Sequence, residues 1–167
     1  MAAILVINRA KQLILIKSNF IMTAYNWKKL QNGSDIRGIA LEGIKNEEVD
    51  LTPQIAQRLG ECFAAWLKEK KPAISKLRVS VGMDSRLSGP SLAAALTQGL
   101  TDAGIDVYQF GLASTPALFM STVLGAEPMH GAVMLTASHL PFNRNGMKFF
   151  EASVGREKFH PATVKGK

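Results

Sequence analysis

Leu77-Arg78-Val79-Ser80-Val81-Gly82 alternates apolar and polar residues with the two-residue period of a strand and stops at Met83-Asp84-Ser85-Arg86. From Gly89 to about Ala103 the apolar residues move to helical spacing, Gly104 ends the run, and Asp106 to Phe110 reads as the next strand. Strand, helix and strand in that order make a βαβ unit, which favours a parallel pair joined by a right-handed crossover. The alternation continues on both sides. Upstream, Thr52-Pro53 supplies an N-cap and a first-turn proline, and Ile55, Leu59, Cys62, Phe63, Trp66 and Leu67 recur on one helical face as far as the lysines at Lys68 to Lys71. Before that helix, Ser34 to Leu41 is a glycine-bounded loop running into a short strand. Downstream, Ser114-Thr115-Pro116 opens a third helix that finishes near Gly125, Gly131 to Thr136 is a further strand, and Met147 to Phe150 a short returning one. The expected fold is a three-layer α/β/α domain with a mixed, largely parallel sheet.

Composition sets the class. Hydrophobic residues are 47% of the 167 and charged residues 20%, enough apolar content for a packed core and far from the signature of disorder. The single cysteine, Cys62, falls on the apolar side of a helix and reads as a small core residue, with a reducing compartment favoured. The net charge of +7 belongs to the ends of the chain: residues 1–22 carry three basic and no acidic residues, 151–167 carry four basic and two acidic, and 23–150 carry 13 basic and 11 acidic. A balance of +2 over 23–150, without a basic cluster interleaved with aromatics, argues against nucleic acid as a partner. Residues 1–22 hold two short apolar runs separated by Arg9 and Lys11, too short for a membrane span and in the wrong order for a secretory signal. They are read as an unstructured extension, with Met22 a natural start and an organelle transit peptide the weaker alternative, which leaves a cytoplasmic location as the expectation.

In open α/β sheets ligands bind beyond the carboxyl ends of the strands, and the chemically capable residues fall there. Asp84 and Arg86 follow one strand, Ser114 and Thr115 another, and Ser138 and His139 the last. The richest segment is Leu135-Thr136-Ala137-Ser138-His139-Leu140-Pro141-Phe142-Asn143-Arg144-Asn145-Gly146-Met147-Lys148. It brings a hydroxyl and an imidazole into a turn-forming stretch and returns a lysine on the next strand, groups suited to phosphoryl transfer, in which a protein mainly positions the group and stabilises charge. A serine in a loop is, residue for residue, more often a hydrogen-bonded turn residue than a nucleophile. There is no G-x-S-x-G elbow for a serine hydrolase, no phosphate-cradling G-x-x-x-x-G-K-[ST], and no G-x-G-x-x-G for a Rossmann-like nucleotide binder.

Thr136-Ala137-Ser138-His139-x-Pro141 followed by Asn145-Gly146-x-Lys148 resembles the phosphoserine loop of the α-D-phosphohexomutases, the family of phosphoglucomutases, phosphomannomutases and phosphoglucosamine mutases. Gly33-Ser34-Asp35-Ile36-Arg37-Gly38 is similar to the first active-site segment of that family, and Gly82-Met83-Asp84-Ser85-Arg86 to the G-x-D-x-R after its second strand. The resemblance spans residues 33–148 and implies the family's first domain at 23–150, flanked by the extension 1–22 and an atypical tail 151–167. It implies that Ser138 carries the phosphoryl group exchanged with a hexose phosphate through a hexose bisphosphate, in carbohydrate metabolism. It further implies that His139 assists proton transfer and that Lys148 and Arg37 position or stabilise the reacting group. Asp84, Arg86 and Asn145 would contact phosphate or substrate, or support the loop; for Arg86 a bracing pair with Asp84 is an equal alternative. Mg²⁺ is the implied cofactor, held through the phosphate on Ser138 and aspartates of another domain.

Two departures from the family pattern stand out. Leu140 occupies the place where the family usually has asparagine after the Ser-His pair, replacing an amide able to hold the loop or touch substrate. The family's metal loop, sugar-recognition loop and distal phosphate-binding loop lie in further domains, and no segment of this sequence matches them. The expectation is therefore a phosphohexomutase first domain, a truncated fragment inactive alone and dependent on mutase domains supplied by another chain. The alternative is a non-catalytic relative acting as a binding module.

Overall fold

The computed structural model describes residues 25–152. The expected extension 1–22 and most of the tail 151–167 lie outside the described residues. A turn of 3-10 helix at Trp27–Leu30 leads into β1 (Gln31–Asn32) and β2 (Asp35–Ile39). Then follow α1 (Pro53–Lys70), β3 (Arg78–Met83), α2 (Gly89–Asp102), β4 (Asp106–Leu112), α3 (Thr115–Ser121), β5 (Gly131–Leu135) and β6 (Arg144–Glu151). The six strands form one sheet in the order β1-β2-β6-β5-β3-β4.

The sheet is mixed. Parallel pairing is confined to β3 with β4 and β3 with β5, while β5–β6, β6–β2 and β2–β1 are antiparallel. Connection length accounts for the division. The helices α2 and α3 provide crossovers for the parallel strands, whereas residues 136–143 between β5 and β6 are too few for one, and the chain must double back.

Helices α1 and α2 cover one face. Thr52 caps α1 by accepting the Ile55 N–H at 3.3 Å, and Ile55, Leu59, Phe63 and Leu67 point into a core shared with Val79, Val81, Val133, Leu135, Ile36 and Met147. The two helices touch backbone to backbone: a Cβ at Gly99 would lie 2.0 Å from the Gln57 carbonyl oxygen, and one at Gly60 2.4 Å from that of Leu96. Only glycine admits this approach. On the opposite face α3 packs Leu118 over Ala132 and Met134, with the Ser80 and Ser121 hydroxyls 2.7 Å apart beneath it. The layers are thus two long helices, sheet, and one short helix. No helix among the described residues is long and apolar enough to cross a membrane.

Candidate active site

The carboxyl end of β5 decides the site. After Leu135 the strand gives way to Thr136, whose N–H still donates to the Gly146 carbonyl at 3.0 Å, and to buried Ala137. Ser138 then takes a left-handed backbone, φ +56°, a conformation that costs a non-glycine residue about 1–2 kcal/mol. Three groups hold it there. The Ser138 N–H donates to Thr136 Oγ1 at 2.9 Å, the Ser138 carbonyl accepts from Arg86 at 2.9 Å, and Leu140 N–H closes a turn onto the Ala137 carbonyl at 3.1 Å. The outcome is an exposed hydroxyl lifted off the sheet edge, with the His139 Nδ1 3.4 Å from its Oγ.

Arg86 is the centre of this loop. Nη1 donates to the carbonyls of Pro141 (2.7 Å) and Arg144 (2.9 Å), and Nη2 to those of Ser138 (2.9 Å) and Leu140 (2.8 Å). Asp84 aims it, its carboxylate accepting the Arg86 N–H at 3.2 Å and lying 3.5 Å from Nε. With its donors turned to main-chain oxygens, Arg86 braces the loop, and Asp84 braces Arg86. The same bonds explain how Leu140 fits: Arg86 grips the backbone at position 140, so the loop holds its shape without an amide there.

A second cluster lies on the sheet face opposite α1 and α2. Ile36 pairs with Met147 and both enter the core, so the neighbouring Asp35, Arg37 and Lys148 point the other way. Asp35 Oδ2 accepts from Arg37 Nη2 at 3.2 Å and also pairs with Lys148 Nζ. Arg37 Nη1 crosses β6 to donate to the Thr136 carbonyl at 2.9 Å, two residues before Ser138. Gly146 makes the crossing feasible, because a Cβ there would sit 2.7 Å from Arg37 Cδ and 2.2 Å from the Ile36 carbonyl oxygen. The sequence segments 33–38 and 145–148 are therefore two halves of one interlock.

Asn145 is fully buried, donating to Ser88 Oγ at 2.8 Å and accepting the Gly146 N–H at 2.8 Å, so it ties β6 to the start of α2 and faces no solvent. Glu47, to which sequence reasoning gave no role, holds the far end of the loop through Asn143 Nδ2 (2.7 Å) and Arg144 Nη2 (2.6 Å). Nothing local to Glu47 signals this; it stands 96 residues from Asn143. The structure thus joins Arg37, Asp84 and Arg86 to the segment 136–146, whose own Asn145 anchors it to Ser88, and reaches Lys148 through Asp35. Ser114, in contrast, caps α3 by accepting the Ala117 N–H at 3.4 Å.

Beside Ser138 opens a cleft of about 320 Å³ with Asp84, Ser85 and Arg86 on one wall and Leu140 and Phe142 on another. No three His, Cys, Asp or Glu side chains among the described residues converge as metal ligands. Mg²⁺ wants near-octahedral oxygen ligands, and Asp84 is already engaged by Arg86, so these residues do not by themselves fit the ion.

The family model described as phosphoglucomutase/phosphomannomutase, alpha/beta/alpha domain I, matches residues 28–158. A phosphoglucosamine mutase of Corynebacterium urealyticum is 40% identical over 119 residues, 71% of this chain and 25% of its own length. That of Moorella thermoacetica is 40% identical over 126 residues, 75% of this chain and 26% of its own. Among solved structures, a phosphoglucomutase/phosphomannomutase family protein from Burkholderia thailandensis superposes with a TM-score of 0.58 at 29% identity, over 71% of this chain and 25% of that one. The chain spans about a quarter of the length of the relatives it matches.

Proposed function

Because the chain belongs to the phosphoglucomutase/phosphomannomutase family through its domain I, we propose that it is the phosphoserine domain of a phosphohexomutase, with Ser138 as phosphoryl carrier. The observation that carries this reading is the braced, left-handed Ser138: strain of this kind persists only where the surroundings over-determine it, and here Thr136 Oγ1, Arg86 and the turn from Leu140 to Ala137 do so. The phosphoryl group passes from Ser138 Oγ to a hydroxyl of a hexose phosphate. The O–P bond to serine breaks as the bond to the sugar oxygen forms; the sugar hydroxyl gives its proton to His139, and His139, whose Nδ1 lies 3.4 Å from Oγ, returns a proton to the departing serine oxygen. The bisphosphate then returns its other phosphoryl group to Ser138. Arg37 and Lys148 supply positive charge near the carboxyl end of β5, where charge accumulates on the equatorial oxygens. Domain I is taken as residues 23–150, within a protein whose remaining domains provide the sugar and metal contacts. This chain alone is expected to turn over negligibly.

The test grafts residues 28–158 in place of the matching stretch of the Moorella enzyme and follows hexose-phosphate mutase turnover. Turnover by the graft and its loss in Ser138→Ala support the reading. A folded graft that is inactive favours a non-catalytic relative acting as a binding module.

A further inference from the structure

Asp35 places a full negative charge against the two cations that the proposed reaction needs free. Its Oδ2 accepts from Arg37 Nη2 at 3.2 Å and pairs with Lys148 Nζ, the Asp35 and Lys148 side chains being 16% and 27% exposed. The two cations are held unequally. Arg37 has a second anchor in the Thr136 carbonyl at 2.9 Å, which its stem reaches across β6 because Gly146 carries no side chain in the way. Lys148 is a point charge on a flexible four-carbon stem whose ion-pair partner is Asp35 alone among the described residues. The cluster carries a formal +1 with Asp35 ionised and +2 without it. A phosphate dianion arriving at this edge competes with Asp35 for both cations, and Lys148, which lacks the bond that ties Arg37 to the Thr136 carbonyl, is the one it draws away.

We propose that Asp35 is a positioning residue that stores Lys148 in the resting domain and yields it to a phosphate dianion, so that the domain binds phosphate less tightly than its charges allow. The inference rests on the preceding reading of Lys148 as a partner of the phosphoryl group. It gives Asp35 a role in exchange, distinct from that of a tie between β2 and β6. Storage keeps ground-state affinity low, so that binding energy is realised when charge builds on the transferring group.

The two roles predict opposite signs. A tie that is lost loosens the site and weakens phosphate binding, whereas release of a stored lysine tightens it. The experiment titrates the 167-residue chain and its Asp35→Asn, Lys148→Met and double variants with inorganic phosphate at low ionic strength by calorimetry. Asp35→Asn is expected to bind about two- to fivefold more tightly than wild type, the size of a released, partly exposed ion pair, with the gain absent in the Lys148→Met background. Equal or weaker binding by Asp35→Asn, a gain that survives Lys148→Met, or no phosphate bound by any of the four proteins overturns the proposal. Should Asp35→Asn fail to fold, NMR of the wild-type Lys148 side chain and Asp35 carboxyl carbon decides: both signals are expected to move together on saturation with phosphate, and an unmoved Lys148 refutes the exchange. Phosphoserine mapping at residue 138 after exposure to a hexose bisphosphate reports on the proposed function separately.

Discussion

Replacing Arg86 by alanine removes one side chain and leaves four carbonyls without their donor. The carbonyls of Ser138 and Pro141 are open enough to be taken over by water, while those of Leu140 and Arg144 are partly buried and lose a charge-assisted bond worth about 1.5 kcal/mol each, the low end for bonds to a charged group. Asp84 is left at the sheet edge without its cation, and Ser138 without the contact that offsets its left-handed backbone. Together these come to about 2–4 kcal/mol, a drop of about thirtyfold to a thousandfold in the folded-to-unfolded ratio if the loop unfolds with the rest. Urea denaturation measures the global part. Amide exchange measures the local part, read at the Leu140 and Arg144 N–H groups that close turns onto Ala137 and Pro141. Both amides should exchange faster in Arg86→Ala, and Arg86→Lys should recover only a minor share, since a lysine cannot span four acceptors with its single nitrogen. Stability within about 0.5 kcal/mol of wild type together with unchanged exchange at both amides would refute the bracing role.

Three further outcomes are expected. Gly99→Ala forces a methyl to within 2.0 Å of the Gln57 carbonyl oxygen and must part α1 from α2, at about 3 kcal/mol or more by urea denaturation. Gly146→Ala pushes against the Ile36 carbonyl oxygen and Arg37 Cδ, so it should cost about 2–3 kcal/mol and abolish the Arg37 bond to Thr136, seen as loss of the protected guanidinium signals by NMR. The Tyr25 phenol, its hydroxyl donating to the Asp50 carbonyl at 2.6 Å, is pushed up from 10.0 to about 12, chiefly by burial and secondarily by the Asp50 charge. Its unfolded form ionises first, so its contribution to stability is intact below pH 10.0 and is lost as the pH rises to about 12. Urea titrations at a series of alkaline pH values should show that loss, and Tyr25→Phe should remove it.

Much of the fold was legible because it is written locally. Thr52-Pro53 and the apolar spacing from Ile55 to Leu67 announced α1, and the observed helix runs Pro53–Lys70. The strand at Arg78–Met83 and the helix at Gly89–Asp102 fall within a residue of the expected bounds. Differences arise where non-local or side-chain bonds intervene. The helix expected to reach Gly125 stops at Ser121, where the hydroxyls of Ser121 and Thr122 bond back to the Leu118 and Phe119 carbonyls and compete with its continuation. β6 begins at Arg144, earlier than expected, because β2 pairs with it from Ile39 onward, and that pairing spans the whole domain in sequence. Of the site, the segments bearing Arg37, Asp84, Arg86 and Ser138 could be picked out by motif. Their connections could not: Arg37 reaching Thr136 past Gly146, Arg86 gripping four carbonyls, and Glu47 holding Asn143 and Arg144 are contacts between residues 52 to 99 positions apart.

The claim on which the account turns is that Ser138 is the phosphoryl carrier, and site-resolved mass spectrometry addresses it most directly. The chain would be co-expressed with the remaining length of the Moorella phosphoglucosamine mutase, exposed to a hexose bisphosphate with Mg²⁺, and digested, with Ser138→Ala treated alongside. A single phosphate is expected on the peptide containing Ser138, removed by hexose monophosphate as bisphosphate forms, with neither phosphate nor turnover in Ser138→Ala. Turnover by Ser138→Ala, or a phosphate that sits on another residue of the chain and exchanges with substrate, would contradict it.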